Sequence, residues 1–197
     1  MRNISRIILG LGIVLLAAAC SCTPPASRVL AVPLRAQETN MWCWAASGQM
    51  TMNFIHAASN VQQWDEANRR FNRTDCGNNP KPARCVQGGW PEYEKYNFSR
   101  TRTSDQALSW DALRREVGCG GRPFAFSWHW PGGGGHMMVV IGYATFRDGG
   151  NYVLVNDPWP PTPGAGNQSW MLYSRYVATP GDHTHWDDFY QIRYTGS

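Results

Sequence analysis

Residues 37 to 50, QETNMWCWAASGQM, set one cysteine between two tryptophans at the point where a polar, turn-favouring segment gives way to a helix-forming one. Gln37, Glu38, Thr39 and Asn40 precede the change, and Ala46, Met50 and Phe54 then recur at i, i+4 and i+8, one stripe of a helix. Cys43 therefore falls in the first helical turn. Unpaired N–H groups and the positive end of the helix dipole stabilise a thiolate there, the form in which a cysteine is a nucleophile. The competing reading is a buried structural thiol or a disulfide partner. Six residues upstream, Gln37 offers a neutral amide that donates hydrogen bonds without competing for a proton. With the Cys43 N–H it forms a candidate oxyanion site.

A nucleophilic thiol needs a base, and the base needs a group to orient it. Residues 132–143, GGGGHMMVVIGY, are a glycine loop entering an apolar strand, with His136 at the junction. Residues 152–159, YVLVNDPW, form a second β-rich run that ends in Asp157 and Pro158. Antiparallel pairing of the two across the turn 147–151 brings a histidine at one strand's start beside a carboxylate at the other's end. His129 is the rival base and Asn156 the rival acceptor. His56 lies late in the first helix, and His183 and His185 lie in a polar loop.

Taken together, Gln37, Cys43 in WCWAAS, His136 in GHMMVVIGY and Asp157 in VNDPW resemble the papain-like cysteine proteases. The resemblance is greatest to the compact bacterial branch that includes secreted effector proteases and bacteriocin-leader peptidases, which carry Asp where papain has Asn. It extends over residues 32–194. It implies an α+β papain-like fold, with an N-terminal helical half and a C-terminal antiparallel sheet half meeting at an active-site cleft. It also implies peptide-bond hydrolysis by a Cys-His-Asp triad with a glutamine oxyanion donor, without cofactor or metal. The sequence departs from the plant enzymes in having Met41 and Trp42 before the cysteine, and no long propeptide is recognisable.

Residues 1–19 hold Arg2 and Arg6, an apolar run from Ile7 to Leu16 and the small residues Ala17, Ala18 and Ala19 before Cys20, which reads as an export signal. Small residues directly before a cysteine resemble a bacterial lipoprotein signal, with Cys20 as the lipidated first residue. A periplasmic or cell-surface lipoprotein follows, with cleavage to a secreted product as the alternative. Residues 20–31, opening with Cys22, Thr23, Pro24 and Pro25, read as a tether, and 32–197 as the peptidase domain. The formal net charge is +4, and removing the leader takes away two basic residues and no acids. No basic block exists, which argues against nucleic acid as a partner. The expected partners are a peptide or protein substrate and a membrane reached through the lipid; the chain is expected to act as a monomer.

Residues 61–71 have helical apolar spacing. The Gly, Pro and Asn-rich stretch 74–91 contains Cys76 and Cys85, which in an exported protein read as a disulfide closing that loop. A metal site joining them to His183 and His185 matches no common zinc spacing. A second bridge, Cys22 to Cys119, is allowed by the count but has no local support. Ser109 reads as the N-cap of a helix over 110–117 ended by Gly118. Strands are expected at 124–128, 136–143, 152–155, near 169–173 and at 188–194. With helices before 118 and strands after, the chain is expected to form one α+β domain, with enough apolar surface for a core and with helical and sheet halves meeting at a cleft. The same triad chemistry would also serve a cell-wall peptide amidase or acyl-transferase, and an inert scaffold would serve as a binding module.

Overall fold

A computed structural model describes residues 22–196. The export signal and Cys20 lie outside the described residues. Seven strands form one antiparallel sheet: β1 (Ser27–Val29), β2 (Phe98–Arg102), β3 (Phe124–His129), β4 (Gly135–Thr145), β5 (Asn151–Asp157), β6 (Asn167–Leu172) and β7 (Thr184–Tyr194). The order is β2-β7-β3-β4-β5-β6, and β1 pairs with the far half of β4, beyond the part paired with β3. The long helix α1 (Cys43–Ile55) packs against β4, β7 and β3, and α2 (Gln63–Phe71) packs on α1. The architecture is α+β, with the helices concentrated before residue 120.

The single apolar stripe expected for α1 understates its burial. Every residue from Trp44 to Met52 is buried, because sheet, second helix and a long loop surround the helix. Two polar members of that run find side-chain partners inside, Thr51 Oγ1 donating to Ser47 O at 2.9 Å and Gln49 Nε2 to Val61 O at 3.0 Å, while Ser47 Oγ is buried without one. Gly48 allows α2 to approach, since a Cβ there would lie 2.6 Å from Glu66 Oε2. That carboxyl is buried, which raises its pKa well above the ordinary value despite the hydrogen bond from Glu92 N.

Two apolar clusters share the sheet. Phe124, Phe126, Met138, Val140, Val153 and Tyr176 centre one; Trp42, Trp44, Met52, Tyr93, Phe98 and Phe189 centre the other. Cys76 and Cys85 are bonded to each other within the second. In the chain-entropy picture this nine-residue closure contributes about 3 kcal/mol.

The tether expected over 20–31 is, from Cys22 onward, part of the domain. Cys22 is bonded to Cys119, β1 pairs with β4, and Leu30 is buried with its N–H on Ile141 O at 2.8 Å. Pro24 and Pro25 suggested a linker, yet their carbonyls accept from Arg114, and Tyr143 donates to Pro25 O at 2.8 Å. The third helix also differs. Ser109 caps it as expected, accepting from Ala112 N, but α3 (Trp110–Arg114) continues as a π turn through Gly118 to Cys119. Gly118 is there for space, because a Cβ would strike the Tyr143 hydroxyl. Residues 173–177 form the short helix α4, where the end of a strand was expected.

Candidate active site

Cys43 is the first residue of α1, half-buried and unbonded to any other sulfur. The helix has no side-chain cap and no acidic residue in its first turn, so the donors there are left to whatever lies beside Cys43. The flanking tryptophans hold this helix end. Trp42 Nε1 donates to Cys85 O at 2.7 Å, and Trp44 Nε1 to Gln87 O at 3.1 Å, tying the turn to the segment just after the disulfide.

Gln37 is buried. Its backbone N–H donates to Pro158 O at 3.0 Å, and its carbonyl accepts from Thr162 N at 2.9 Å, so the strand of chain leading to Cys43 is fastened to the loop after β5. One amide hydrogen goes to Thr39 O at 2.7 Å, which fixes the side chain and leaves the second hydrogen uncommitted. Its Oε1 is buried without a partner. Residue 37 lines the same cleft as Cys43.

On the sheet side, His136 is the second residue of β4 and Asp157 the last of β5. Asn156 pairs with Val139, which sets Asp157 opposite Met138, diagonal to His136 and on its face of the sheet. The His136 Nε2–H donates to Asp157 Oδ1 at 2.6 Å, and the Trp159 N–H donates to the same oxygen at 2.9 Å. Nδ1 is then the nitrogen left for Cys43. Burial lowers the imidazole's pKa, but hydrogen bonds to Asp157 and Cys43, with their charges, outweigh it and raise it to about 9. Gly135 precedes the histidine because a Cβ there would overlap Trp128 O.

Neither rival residue is placed for the same work. Asn156 is fully buried, with Nδ2 on Val32 O at 3.1 Å and Oδ1 accepting from Gln168 at 2.7 Å. His129 is exposed and lies against Trp186, ring centroids 4.7 Å apart. His183 and His185 turn to the carbonyls of Arg175 and Tyr176, at 2.8 and 3.1 Å, and do not join Cys76 and Cys85.

The cleft between the halves measures about 620 Å³. Gln37, Cys43, His136 and Asp157 all line it, along with Trp44, Trp90, Trp130, Trp159 and Trp186. Trp42 and Trp128 are core residues instead. Trp90 and Trp186 meet at the cleft, edge to face at 4.8 Å, and Arg70 is the one arginine or lysine lining it among the described residues. Sequence reasoning missed Gly88, Gly89 and Trp90 as wall residues. The glycine pair after Cys85 was the available sign that something approaches that backbone closely.

The fold is shared with solved plant enzymes. The proform of the Amb a 11 cysteine protease, a major ragweed pollen allergen, matches with TM-score 0.54 and 16% identity, covering 87% of this chain and 68% of that one. A recombinant stem bromelain precursor matches with TM-score 0.51 and 13% identity, covering 88% and 72%. No curated protein sequence matches the chain. The model of the Peptidase_C39 like family matches residues 29–180. The chain shares the papain-like fold of those enzymes, and since the family match covers well over half of it, the chain belongs to the Peptidase_C39 like family.

Proposed function

We propose that the protein is an exported cysteine peptidase that hydrolyses peptide bonds through Cys43, His136 and Asp157, with Gln37 as oxyanion donor. The observation that carries this reading is the short Nε2–Oδ1 hydrogen bond of His136 to Asp157, in a cleft that also receives Cys43 from a helix start. With its pKa raised to about 9, His136 is an imidazolium at neutral pH, the partner that Cys43 needs to attack as a thiolate. The thiolate attacks the carbonyl carbon, and the carbonyl oxygen takes the negative charge. The Cys43 N–H, which has no acceptor within the helix, and the free Gln37 amide hydrogen stabilise that charge. His136 gives its proton to the leaving amine as the C–N bond breaks. It then takes a proton from the water that attacks the thioester, releasing the acid and the thiol. Asp157 keeps the ring oriented throughout. Every group used belongs to the chain.

Two disulfides and the leader sequence support export, and among the described residues no helix is long and apolar enough to cross a membrane. Cys20 is proposed as the lipidated residue. The deciding experiment is digestion of a proteome-derived peptide mixture beside purified peptidoglycan. Cleaved peptides that vanish with Cys43→Ala support the peptidase; release only from peptidoglycan reassigns the site to a cell-wall amidase. Full turnover by Cys43→Ala removes this site from the reaction.

A further inference from the structure

The far end of the sheet from the cleft carries a second concentration of exposed apolar side chains. Opposed residues of an antiparallel ladder share a face, and two adjacent rows can be followed across four strands. Val29, Gly142, Leu154 and Trp170 make one, and Ser27, Ala144, Tyr152 and Leu172 the other. Phe146, at the tip of the β4–β5 hairpin, stacks on Tyr152 at 4.6 Å and meets Trp170 at 5.1 Å. Ala144 and Leu154 lie almost covered beneath, while Val29 (52%), Phe146 (39%), Trp170 (38%) and Leu172 (45%) face solvent. These are half of the large exposed hydrophobic side chains among the described residues; Met41, Trp130 and Trp159 line the cleft, and Trp64 stands apart.

Three observations say what covers this end. The first is where the chain outside the described residues arrives. Cys22 is held to Cys119 by its disulfide, only two residues beyond Cys20, so an anchor at Cys20 sits within about 7 Å of Cys22 at full extension. The second is the path from there. Residues 24 and 25 are held by Arg114 and Tyr143, and Ser27 is the first member of an apolar row. The third is charge. Arg28, whose side chain leaves β1 on the face opposite the two rows, and Arg147, in the β4–β5 turn, are exposed at this end, and Arg114 lies by Pro24 and Pro25 with the exposed Arg115 next to it in sequence. Of the two aspartates there, Asp148 is engaged by Gly150 N and the Tyr152 hydroxyl, and Asp111 lies beside Arg114.

We propose that this end of the sheet is a membrane-docking surface for an anionic phospholipid bilayer, with Phe146, Trp170 and Leu172 entering the interface and the arginines meeting headgroup phosphates. Aromatic side chains favour that depth, and basic side chains add attraction to anionic lipid. The inference rests on the reading of Cys20 as the anchor and adds an orientation to it. His136 and Ala144 are eight residues apart on β4, roughly 26 Å at about 3.3 Å per residue. Docking therefore turns the cleft away from the bilayer.

The test uses the full chain with its own anchor, reconstituted into vesicles of phosphatidylethanolamine and phosphatidylglycerol with brominated acyl chains. The sequence has no tryptophan before Trp42, so quenching of tryptophan emission reports the folded domain. Quenching should be present, should mostly disappear in Trp170→Phe, and should weaken in Phe146→Ser/Leu172→Ser, with thermal melts close to wild type certifying folding. Co-flotation without quenching would overturn docking and leave the anchor standing. Quenching unchanged in Trp170→Phe would overturn the assigned face. A detergent-stable dimer dissociated by Phe146→Ser would reassign the face to a second copy and sink the membrane proposal. Failure to float, with an intact mass showing no acyl group on Cys20, would remove both anchor and docking. Peptide hydrolysis measured on the same variants stays at the wild-type level if the peptidase reading holds, whichever way the docking result falls.

Discussion

The two halves of the cleft reach the same precision by different means. On the sheet side, His136 and Asp157 are neighbours because the β4–β5 ladder has a definite register, so their geometry follows from strand pairing. On the helical side, Cys43 and Gln37 are placed by contacts over long sequence separations: two indoles reaching carbonyls near Cys85, and a backbone fastened to residues 158 and 162. A ladder residue can be changed without moving its neighbours much, whereas a long-range anchor moves a whole segment when lost. The sheet side should thus respond to mutation chemically, and the helical side both chemically and structurally.

The largest expected effect tests the proposed base itself. His136→Ala should lower kcat by roughly 10⁴-fold or more, as removal of a triad member does, with folding near wild type because the ladder persists. A marked loss of stability in this variant would break the contrast between the halves. Next is Gln37→Ala, expected to lower kcat about 10²- to 10³-fold while KM and the rate of Cys43 alkylation stay near wild type. Parallel losses in stability and alkylation would show that the buried amide acts mainly as a structural part.

Trp42→Phe probes anchoring alone. It leaves Cys85 O without its buried donor, and should cost about 1–3 kcal/mol in chemical denaturation, with a smaller change in kcat. No change in stability would mean that the disulfide already holds the helix start. The smallest effect belongs to Asp157→Asn, which keeps an acceptor for the ring and should retain more activity than Asp157→Ala. Its signature is in the pH profile. The imidazolium of His136 is favoured up to about pH 9, so kcat/KM should fall on an alkaline limb as pH rises through that value. Removing the carboxylate's charge should shift that limb toward the ordinary histidine range near 6.5. A limb that does not move would assign the elevation to Cys43 alone.

The same difference governs what could be read from the sequence. The hairpin from His136 to Asp157 was legible because apolar β-rich runs flank a glycine turn, and register then follows. The start of α1 was legible from the change of periodicity, but its nearly complete burial was not, since that depends on the loop 74–91 folding over it. Strand β1 escaped notice because Ser27, Arg28 and Val29 are all exposed and follow two prolines. Strand β2, FSRTR, is a charged edge whose pattern says solvent more than sheet. Trp90, Trp186 and Arg70 arrive at the cleft from three separate segments, and no local pattern announces such a meeting.

The backbone fastening at Gln37 has a mechanical consequence. At one side of the cleft the two halves are laced by main-chain hydrogen bonds at Gln37, and at the other Trp90 and Trp186 pack edge to face where the chain leads into the β2–β7 ladder. The path of the chain toward Cys43 is therefore held by main-chain bonds that no side-chain substitution removes, so the approach to the helix keeps its course when the residue at position 37 is changed.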